Sequence, residues 1–280
     1  DERYQKLGSQ GILRWRGGPS GDVAVSVDEQ ATTLVVAGYV ATGLGFTGGL
    51  DGQRNAAALH RAVQRHRTDG DLPRFLTSLH GSFALVLFEP ADASVTVVTD
   101  RVASRPVYVQ ESADRILIAS SGVAIAEERG EAAFDLGGLA SYLLYGTQVD
   151  PSRTIFDRVR SQPEGTAVKY CVGVPPVTSR WYQYEHRPEE GRTIDEWTHD
   201  AAGALTAAAS RVALVSRAPL VFLSGGVDSR VATAALVAAG LRPALLTLAD
   251  ADNLEVKVAR VVARAFRCPH EVYYRDSGYY

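Results

Sequence analysis

The chain has 280 residues, of which 46% are hydrophobic and 22% are charged, and this composition excludes a disordered polypeptide. Its net charge of −3 and its pI of about 6.1 argue against a nucleic acid as partner. No apolar run reaches the roughly 18 residues that a membrane-spanning helix needs. No signal peptide is recognisable either, so we expect a cytoplasmic protein without a membrane partner.

The first 190 residues predict a domain rich in β-strands, which are separated by Gly, Pro and Asp turns. The Glu-Pro-Ala-Asp-Ala segment at residues 89–93 predicts a hairpin. Apolar residues at helical spacing predict two helices, and Gly146 is suited to end the second one. The predicted strands cover residues 11–15, 23–27, 33–38, 82–88, 94–99, 107–110, 115–119 and 167–170, and the predicted helices cover residues 55–67 and 136–144.

A polar segment at residues 185–192 predicts a linker, and the pattern of apolar residues changes after it. Thr193 and Glu196 have the spacing of a capping box, which predicts a long helix to about residue 212. Strands at residues 220–223, 244–248 and 270–274 then alternate with helices at residues 229–239 and 254–266. This alternation predicts a parallel sheet covered by helices on both faces. We therefore expect two domains, residues 1–190 and residues 191–280.

A Ser-Gly-Gly-Val-Asp-Ser segment at residues 224–229 connects the first of these strands to its helix. Two glycines allow the backbone to approach a ligand and to adopt positive φ. The N–H groups of the turn and of the first helical turn can then bind an anion, aided by the helix dipole. The spacing fits neither a dinucleotide-binding loop nor a kinase-type P-loop. The segment therefore predicts a different type of phosphate-binding loop, although an ordinary capped Gly-Gly turn is an alternative.

The polar residues of this loop indicate which ligand it binds. Ser224 and Ser229 can donate hydroxyl hydrogen bonds, and Gly225 and Gly226 can donate backbone N–H groups. Asp228 would repel a bare phosphate, but it is explained if it holds Mg²⁺ that the phosphates share. We therefore predict ATP and Mg²⁺ as ligands.

The loop resembles that of the N-type ATP pyrophosphatases, which split ATP into AMP and pyrophosphate while a substrate is adenylated. Other segments narrow the resemblance to the asparagine synthetase family. They are Leu-His-Gly-Ser-Phe-Ala at residues 79–84, Asp-Arg-Val-Ala-Ser-Arg-Pro-Val-Tyr at 100–108, Ala-Ser-Ser at 119–121, Thr-Ile-Phe at 154–156, Pro-Glu-Gly at 163–165 and Arg-Trp-Tyr at 180–182.

This resemblance implies an N-terminal Ntn-hydrolase-like αββα sandwich, which is an α+β fold. An α/β domain with the doubly wound parallel sheet of the adenine-nucleotide α-hydrolases would follow, and only its start would be present. The resemblance also places Leu223 and Leu248 beside the adenine of ATP. The sequence contains no methionine and ends on Tyr279 and Tyr280, so we expect further residues at both ends.

Three departures from the family concern glutamine hydrolysis. A glutaminase of this family needs an N-terminal cysteine, whereas the first residue here is Asp1. The family's Asn-Gly oxyanion pair corresponds to Ala37 and Gly38, and its glutamine-binding Asp-x-Glu begins at Asn55. The loss of one oxyanion donor slows such reactions on the order of 10²–10³-fold. We therefore expect a first domain that does not hydrolyse glutamine.

Several other residues have structural interpretations. Asp100 is expected to form a buried ion pair with an arginine, Arg101 or Arg105. Helix capping alone explains Glu255, and His270 is expected to be structural. The two cysteines have no metal-ligand spacing and are expected to be reduced thiols.

The leading hypothesis is an ATP-dependent amide-forming ligase that adenylates a small-molecule or peptide carboxylate for attack by an amine. The amine would be ammonia or an amine of the substrate itself, as in the cyclising β-lactam synthetases and lasso-peptide cyclases that the chain resembles. A catalytically silent ATP-binding protein and an intact glutamine-dependent synthetase are the alternatives. A second copy of the chain is a candidate partner.

Overall fold

The computed structural model describes residues 2–7, 11–16, 23–41, 52–130, 133–216, 218–276 and 278. The chain divides into two compact units, Asp1–Glu185 and His186–Tyr280. Each unit has its own hydrophobic core.

The described strands of the first unit form three antiparallel sheets. A two-stranded sheet pairs β1 with β2, a six-stranded sheet has the order β11-β10-β6-β5-β4-β3, and a three-stranded sheet has the order β8-β7-β9. The predicted hairpin is confirmed, because β5 and β6 pair with Glu89 opposite Ser94. The strands are β1 (Glu2–Leu7), β2 (Gly11–Arg16), β3 (Val23–Val27), β4 (Thr33–Ala41), β5 (His80–Glu89), β6 (Ser94–Thr99), β7 (Tyr108–Glu111), β8 (Ile116–Ala119), β9 (Arg160–Ser161), β10 (Thr166–Cys171) and β11 (Val174–Arg180).

Four helices are described in this unit: α1 (Gly52–Thr68), α2 (Leu72–Ser78), α3 (Gly122–Arg129) and α4 (Leu136–Tyr145). The fourth ends at Gly146 with a φ of +69°, as the sequence predicts. The helices α2 and α3 and the strands β1, β9 and β11 are additions to the predicted elements.

The core of the first unit has two layers of side chains. Leu59 of α1 and Leu76 of α2 pack with Leu34 and Leu85 on one face of the six-stranded sheet. The other face packs against β7 and β8 through residues such as Val109. The opposite face of β7 then meets α3, where the Tyr108 ring lies beside Gly122. The order of layers is therefore helix, sheet, sheet, helix.

The second unit contains a parallel sheet in the order β12-β13-β14. The capping box is confirmed, since Thr193 Oγ1 accepts from the Glu196 N–H and Glu196 Oε2 accepts from the Thr193 N–H. The elements are α5 (Ile194–Val215), β12 (Leu220–Phe222), α6 (Val227–Ala238), β13 (Ala244–Ala249), α7 (Leu254–Phe266) and β14 (His270–Tyr274).

Both α6 and α7 pack on the same face of this sheet, where Val221 and Leu245 contribute to the core. Leu220, Phe222 and Leu248 lie on the other face and are exposed in the described part of the chain. The described unit therefore differs from the predicted sheet with helices on both faces.

The chain is a mixed α/β protein. Among the described helices, none has the length and apolarity needed to cross a membrane.

Candidate functional site

The segment at residues 224–229 lies at the carboxyl edge of the parallel sheet in the second unit. The strand β12 ends at Phe222, Leu223 follows, and α6 begins at Val227. Gly226 is the N-cap residue of α6 and donates its own N–H to Ser224 Oγ at 3.2 Å. No side chain among the described residues caps the N–H groups of the first turn of the helix. The first N–H groups of α6 therefore lack the side-chain acceptor that Ser, Asp or Asn usually provides at an N-cap.

Two serine hydroxyls close the loop. Ser229 Oγ accepts a hydrogen bond from the Ser224 N–H at 3.0 Å. The Ser229 hydroxyl can donate its own proton to the carbonyl oxygen of Ser224 at 3.3 Å or to Ser224 Oγ at 2.9 Å. The proton of Ser229 thus stays inside the loop, which makes this residue a positioning group. The hydroxyl of Ser224 is the one that can be directed outward.

The two glycines do not adopt the positive φ that the sequence suggests. Gly226 has a φ of −76°, and Gly225 is not among the described glycines with positive φ. Their small size avoids close contacts, because a Cβ at Gly225 would lie 3.1 Å from the Cα of Glu255. A Cβ at Gly226 would lie 3.2 Å from Ser224 Oγ. The expectation of left-handed backbone is therefore wrong, and the approach of the backbone to a ligand stays a prediction.

Glu255 contacts the loop directly. Its Oε1 accepts a hydrogen bond from the Gly225 N–H at 3.3 Å. The N-cap of α7 is Asn253, whose Oδ1 accepts from the Val256 N–H at 3.1 Å. Helix capping alone therefore does not explain Glu255, and sequence reasoning missed this contact.

A buried threonine anchors the start of the loop. Thr247 Oγ1 donates to the carbonyl oxygen of Leu223 at 2.7 Å, and it lies 2.9 Å from His270 Nε2. Because the hydroxyl has one proton, His270 must donate its Nε2–H to Thr247. The pKa of His270 is lowered, first by burial and then by the nearby Arg260. His270 therefore has a hydrogen-bonding role at the site, which agrees with its structural interpretation.

The remaining predicted residues lie at the same edge of the sheet. Leu223 is buried, and its N–H donates to the carbonyl oxygen of Leu246 on β13. Leu248 lies two residues further along that strand and is 38% exposed. Asp228 is exposed in the first turn of α6.

The described residues contain no group of three or more His, Cys, Asp or Glu side chains that could hold a metal. A magnesium ion at Asp228 would therefore take its other ligands from phosphate oxygens and water. Magnesium commonly binds in this way, so the residues present fit it.

The glutaminase-like positions lie in the first unit. Gly38 is inside β4 with a φ of +92°, and an added Cβ would overlap the carbonyl oxygen of Ser82. Ala37 packs against the second core layer and carries no polar side-chain atom. Asn55 lies in the first turn of α1, while Asp1 lies outside the described residues. The structure thus keeps the glycine conformation and offers no side-chain donor at residue 37.

Asp100 is buried, but an arginine is not its partner in the described part of the chain. Its carboxylate accepts hydrogen bonds from the Phe83 N–H at 2.9 Å, from the Val102 N–H at 3.0 Å, and from the N–H and hydroxyl of Ser104. Arg101 instead donates to the carbonyl oxygen of Thr77. The predicted buried ion pair is therefore wrong, since backbone N–H groups satisfy the carboxylate.

A cavity of about 230 Å³ lies at the other end of α7. Burial raises the pKa of Cys268, which keeps this residue a thiol and makes it a poor nucleophile. Both cysteines are free thiols, as predicted. A basic residue in the last turn of a helix, such as Arg264, stabilises the helix dipole. We therefore assign this cavity a structural role; its lining is Arg260, Ala263, Arg264, Arg267, Cys268 and His270.

Residues 63–182 match the family model of a glutamine amidotransferase domain. This range lies within the first unit and fits the N-terminal domain of asparagine-synthetase-like proteins. It begins after Ala37, Gly38 and Asn55, so the departures at these positions lie outside it. The match indicates an amidotransferase-related role and an enzyme. No curated protein matches the chain.

Proposed function

We propose that the protein is an ATP-dependent carbon–nitrogen ligase of the asparagine synthetase type. In this proposal, residues 191–280 begin an adenine-nucleotide α-hydrolase-like domain that activates a carboxylate as an acyl-adenylate. Residues 1–190 form an Ntn-hydrolase-like αββα domain that has lost its glutaminase activity. The observation that carries the proposal is the loop between β12 and α6, whose helix lacks a side-chain cap among the described residues.

The residues of the loop suit the phosphates of ATP. The N–H groups of the first turn of α6 would bind phosphate oxygens, favoured by the helix dipole. Ser224 would add its hydroxyl, and Asp228 would hold Mg²⁺. When bound, ATP supplies AMP to activate the carboxylate and pyrophosphate as the leaving group.

Other residues of the chain would position this loop. Ser229 keeps the backbone of Ser224 in place through the hydrogen bond to its N–H. Thr247 holds the carbonyl of Leu223 from the neighbouring strand. The exposed side chain of Leu248 would lie against the adenine, and a buried Leu223 would support that surface.

The proposed loss of glutaminase activity rests on residue 37. An oxyanion forms when a glutamine amide is attacked, and side-chain donors stabilise it. Ala37 has no donor, although Gly38 keeps the backbone conformation next to it. The amine would therefore come from ammonia or from the substrate itself.

Pyrophosphate release with Mg²⁺–ATP, a panel of carboxylates and ammonia tests the proposal. We expect the Asp228→Asn variant to lose at least about tenfold of the activity, because one charged metal ligand is removed. The matched control is Asp195→Asn, an exposed aspartate in the first turn of α5 in the same unit, which should keep full activity. Equal activity of both variants, or no binding of Mg²⁺–ATP by the protein, would refute the proposal.

The same assay distinguishes between the possible substrates. Stimulation by aspartate supports an asparagine-forming enzyme, and its absence excludes one. Turnover without added ammonia supports a cyclising ligase that uses an amine of its own substrate. Release of glutamate from glutamine would show that the first unit is an active glutaminase.

A second candidate is a catalytically silent ATP-binding protein. The observation in its favour is that Glu255 already accepts a hydrogen bond from the loop. Binding of Mg²⁺–ATP without pyrophosphate release for any carboxylate would support this alternative.

A further inference from the structure

Glu255 places a negative charge on the loop at residues 224–229. Its Oε1 lies 3.3 Å from the Gly225 nitrogen and accepts its hydrogen bond. The two segments are close along their backbones as well, since a Cβ on Gly225 would lie 3.1 Å from the Cα of Glu255. A carboxylate oxygen therefore occupies one of the N–H groups that a phosphate oxygen could use.

The helix α7 does not need the hydrogen bond between Glu255 and Gly225 for its own stability. Asn253 already caps the helix by accepting from the Val256 N–H. An acidic residue in the first turn is favourable for the helix dipole in any rotamer that points to solvent. The side chain of Glu255 instead reaches across 30 positions of sequence to the loop.

We propose that Glu255 is a built-in competitor of phosphate at this loop, so that its carboxylate must leave the Gly225 N–H before a phosphate group binds there. This inference rests on the proposed function and adds a residue that sets the affinity of the site. Glu255 is a positioning residue in this role, because it acts through the amide of Gly225.

Charge repulsion gives the size of the effect. Two like charges about 4 Å apart in water repel each other enough to weaken binding about fivefold. A divalent cation that bridges carboxylate and phosphate offsets this repulsion. The loop should therefore bind phosphates more weakly without Mg²⁺ than it would with a neutral residue at position 255, and Mg²⁺ should reduce the difference.

The test is titration calorimetry of the protein with inorganic pyrophosphate, first in the presence of a metal chelator and then in the presence of Mg²⁺. The variant Glu255→Gln keeps an oxygen that can accept from the Gly225 N–H but removes the charge. We expect it to bind pyrophosphate about fivefold more tightly than the wild type in chelator. The gain should shrink when Mg²⁺ is present.

Two further variants make the result specific. Glu271→Gln makes the same change on β14, which β13 separates from β12, and should leave the affinity unchanged. Glu255→Asp keeps the charge and should show little or none of the gain. Circular dichroism of each variant excludes a folding defect.

The measured affinities of the wild type and the variants either support or overturn the inference. Tighter binding by Glu255→Gln alone supports the competitor, including the case in which only this variant binds. If the wild type binds pyrophosphate and Glu255→Gln binds equally or more weakly, Glu255 is a tether and the inference falls while the proposed function stands. If neither protein binds pyrophosphate or Mg²⁺–ATP, the loop is no anion site and both fall.

Discussion

Two pairs of glycines mark the two candidate sites, and the structure uses them for different reasons. Gly38 and Gly81 lie in the neighbouring strands β4 and β5 with φ values of +92° and +136°. An added Cβ on either would overlap a carbonyl oxygen of the other strand. Gly225 and Gly226 have no positive φ, and their Cβ atoms would meet Glu255 and the Ser224 hydroxyl at distances above 3.0 Å. The first pair is fixed by backbone conformation, and the second by the space around the loop.

This difference changes what a retained glycine means. The sheet of the first unit needs Gly38 whether or not the unit performs chemistry, because no other residue fits that conformation without strain. Gly38 next to Ala37 is therefore no sign of a surviving glutaminase. In the second unit, small residues are needed where α7 approaches the loop, so Gly225 is the more informative residue for function.

The largest expected effect is on Gly38. A Gly38→Ala substitution combines a strained backbone with overlap against Ser82, so we expect it to lower the free energy of unfolding by about 3 kcal/mol or more. Gly70→Ala is the matched control, since Gly70 has a φ of +75° but open space around it, and about 1 kcal/mol is expected there. Chemical denaturation measures both. Similar losses for the two variants would show that conformation alone matters.

The loop of the second unit should instead be sensitive to hydroxyl groups. Thr247→Val removes the hydroxyl that binds the Leu223 carbonyl, and it leaves that oxygen and the His270 N–H without their partner. We expect a loss of about 2 kcal/mol in the free energy of unfolding. Thr206→Val is the control, because its hydroxyl bonds only to Ala202 on an exposed helix face. A loss below that of the control would mean that Thr247 does not anchor the loop.

The sequence predicts the position of the loop but not the contacts that hold it. A strand, a turn and a helix follow one another locally, so their pattern places residues 224–229 correctly. Glu255, Thr247 and His270 lie 23 to 30 positions from their partners, and only the parallel pairing of the strands brings them together. The register between these parallel strands cannot be predicted from the local spacing of apolar residues.

The elements that sequence analysis missed have local explanations. The strand β11 contains Pro175 and Pro176, which argue against a strand, yet it lies at the edge of its sheet, where proline is tolerated. The helix α2 has seven residues and buries only Phe75 and Leu76, too short a stretch to show a helical period. The positive φ expected in this turn fails at Gly226, because the residue at a helix N-cap usually has an extended backbone with negative φ, as it does here.

A smaller effect is expected at Gly225, and on binding rather than stability. Gly225→Ala must move α7 or the loop by a few tenths of an ångström, which we expect to change the free energy of unfolding by about 1 kcal/mol or less. The same shift should weaken pyrophosphate binding about tenfold, because the backbone N–H groups no longer converge on one anion. Titration calorimetry measures the binding and chemical denaturation the stability.

The control for this comparison is Gly203→Ala in α5, which has open space around it. It should stabilise the protein slightly, by about 1 kcal/mol at most, and leave pyrophosphate binding unchanged. If Gly225→Ala destabilises the protein as strongly as Gly38→Ala while binding is kept, the two pairs of glycines have the same purpose and the comparison fails.

The smallest effect concerns pH. Burial is the main cause that lowers the pKa of His270 below its ordinary value of 6.5. Between 6.5 and the lower folded pKa, the unfolded chain binds the proton more readily than the folded chain. The stability contribution of His270 is therefore complete above pH 6.5 and is lost as the pH falls through that window.

Urea unfolding on either side of pH 6.5 should show this loss of stability, and His270→Gln should reduce the loss. The control is His199→Gln, a change at an exposed histidine, which should keep the wild-type dependence of stability on pH. If His270→Gln also leaves this dependence unchanged, the acid sensitivity lies elsewhere, for example at the buried His60 of the first unit.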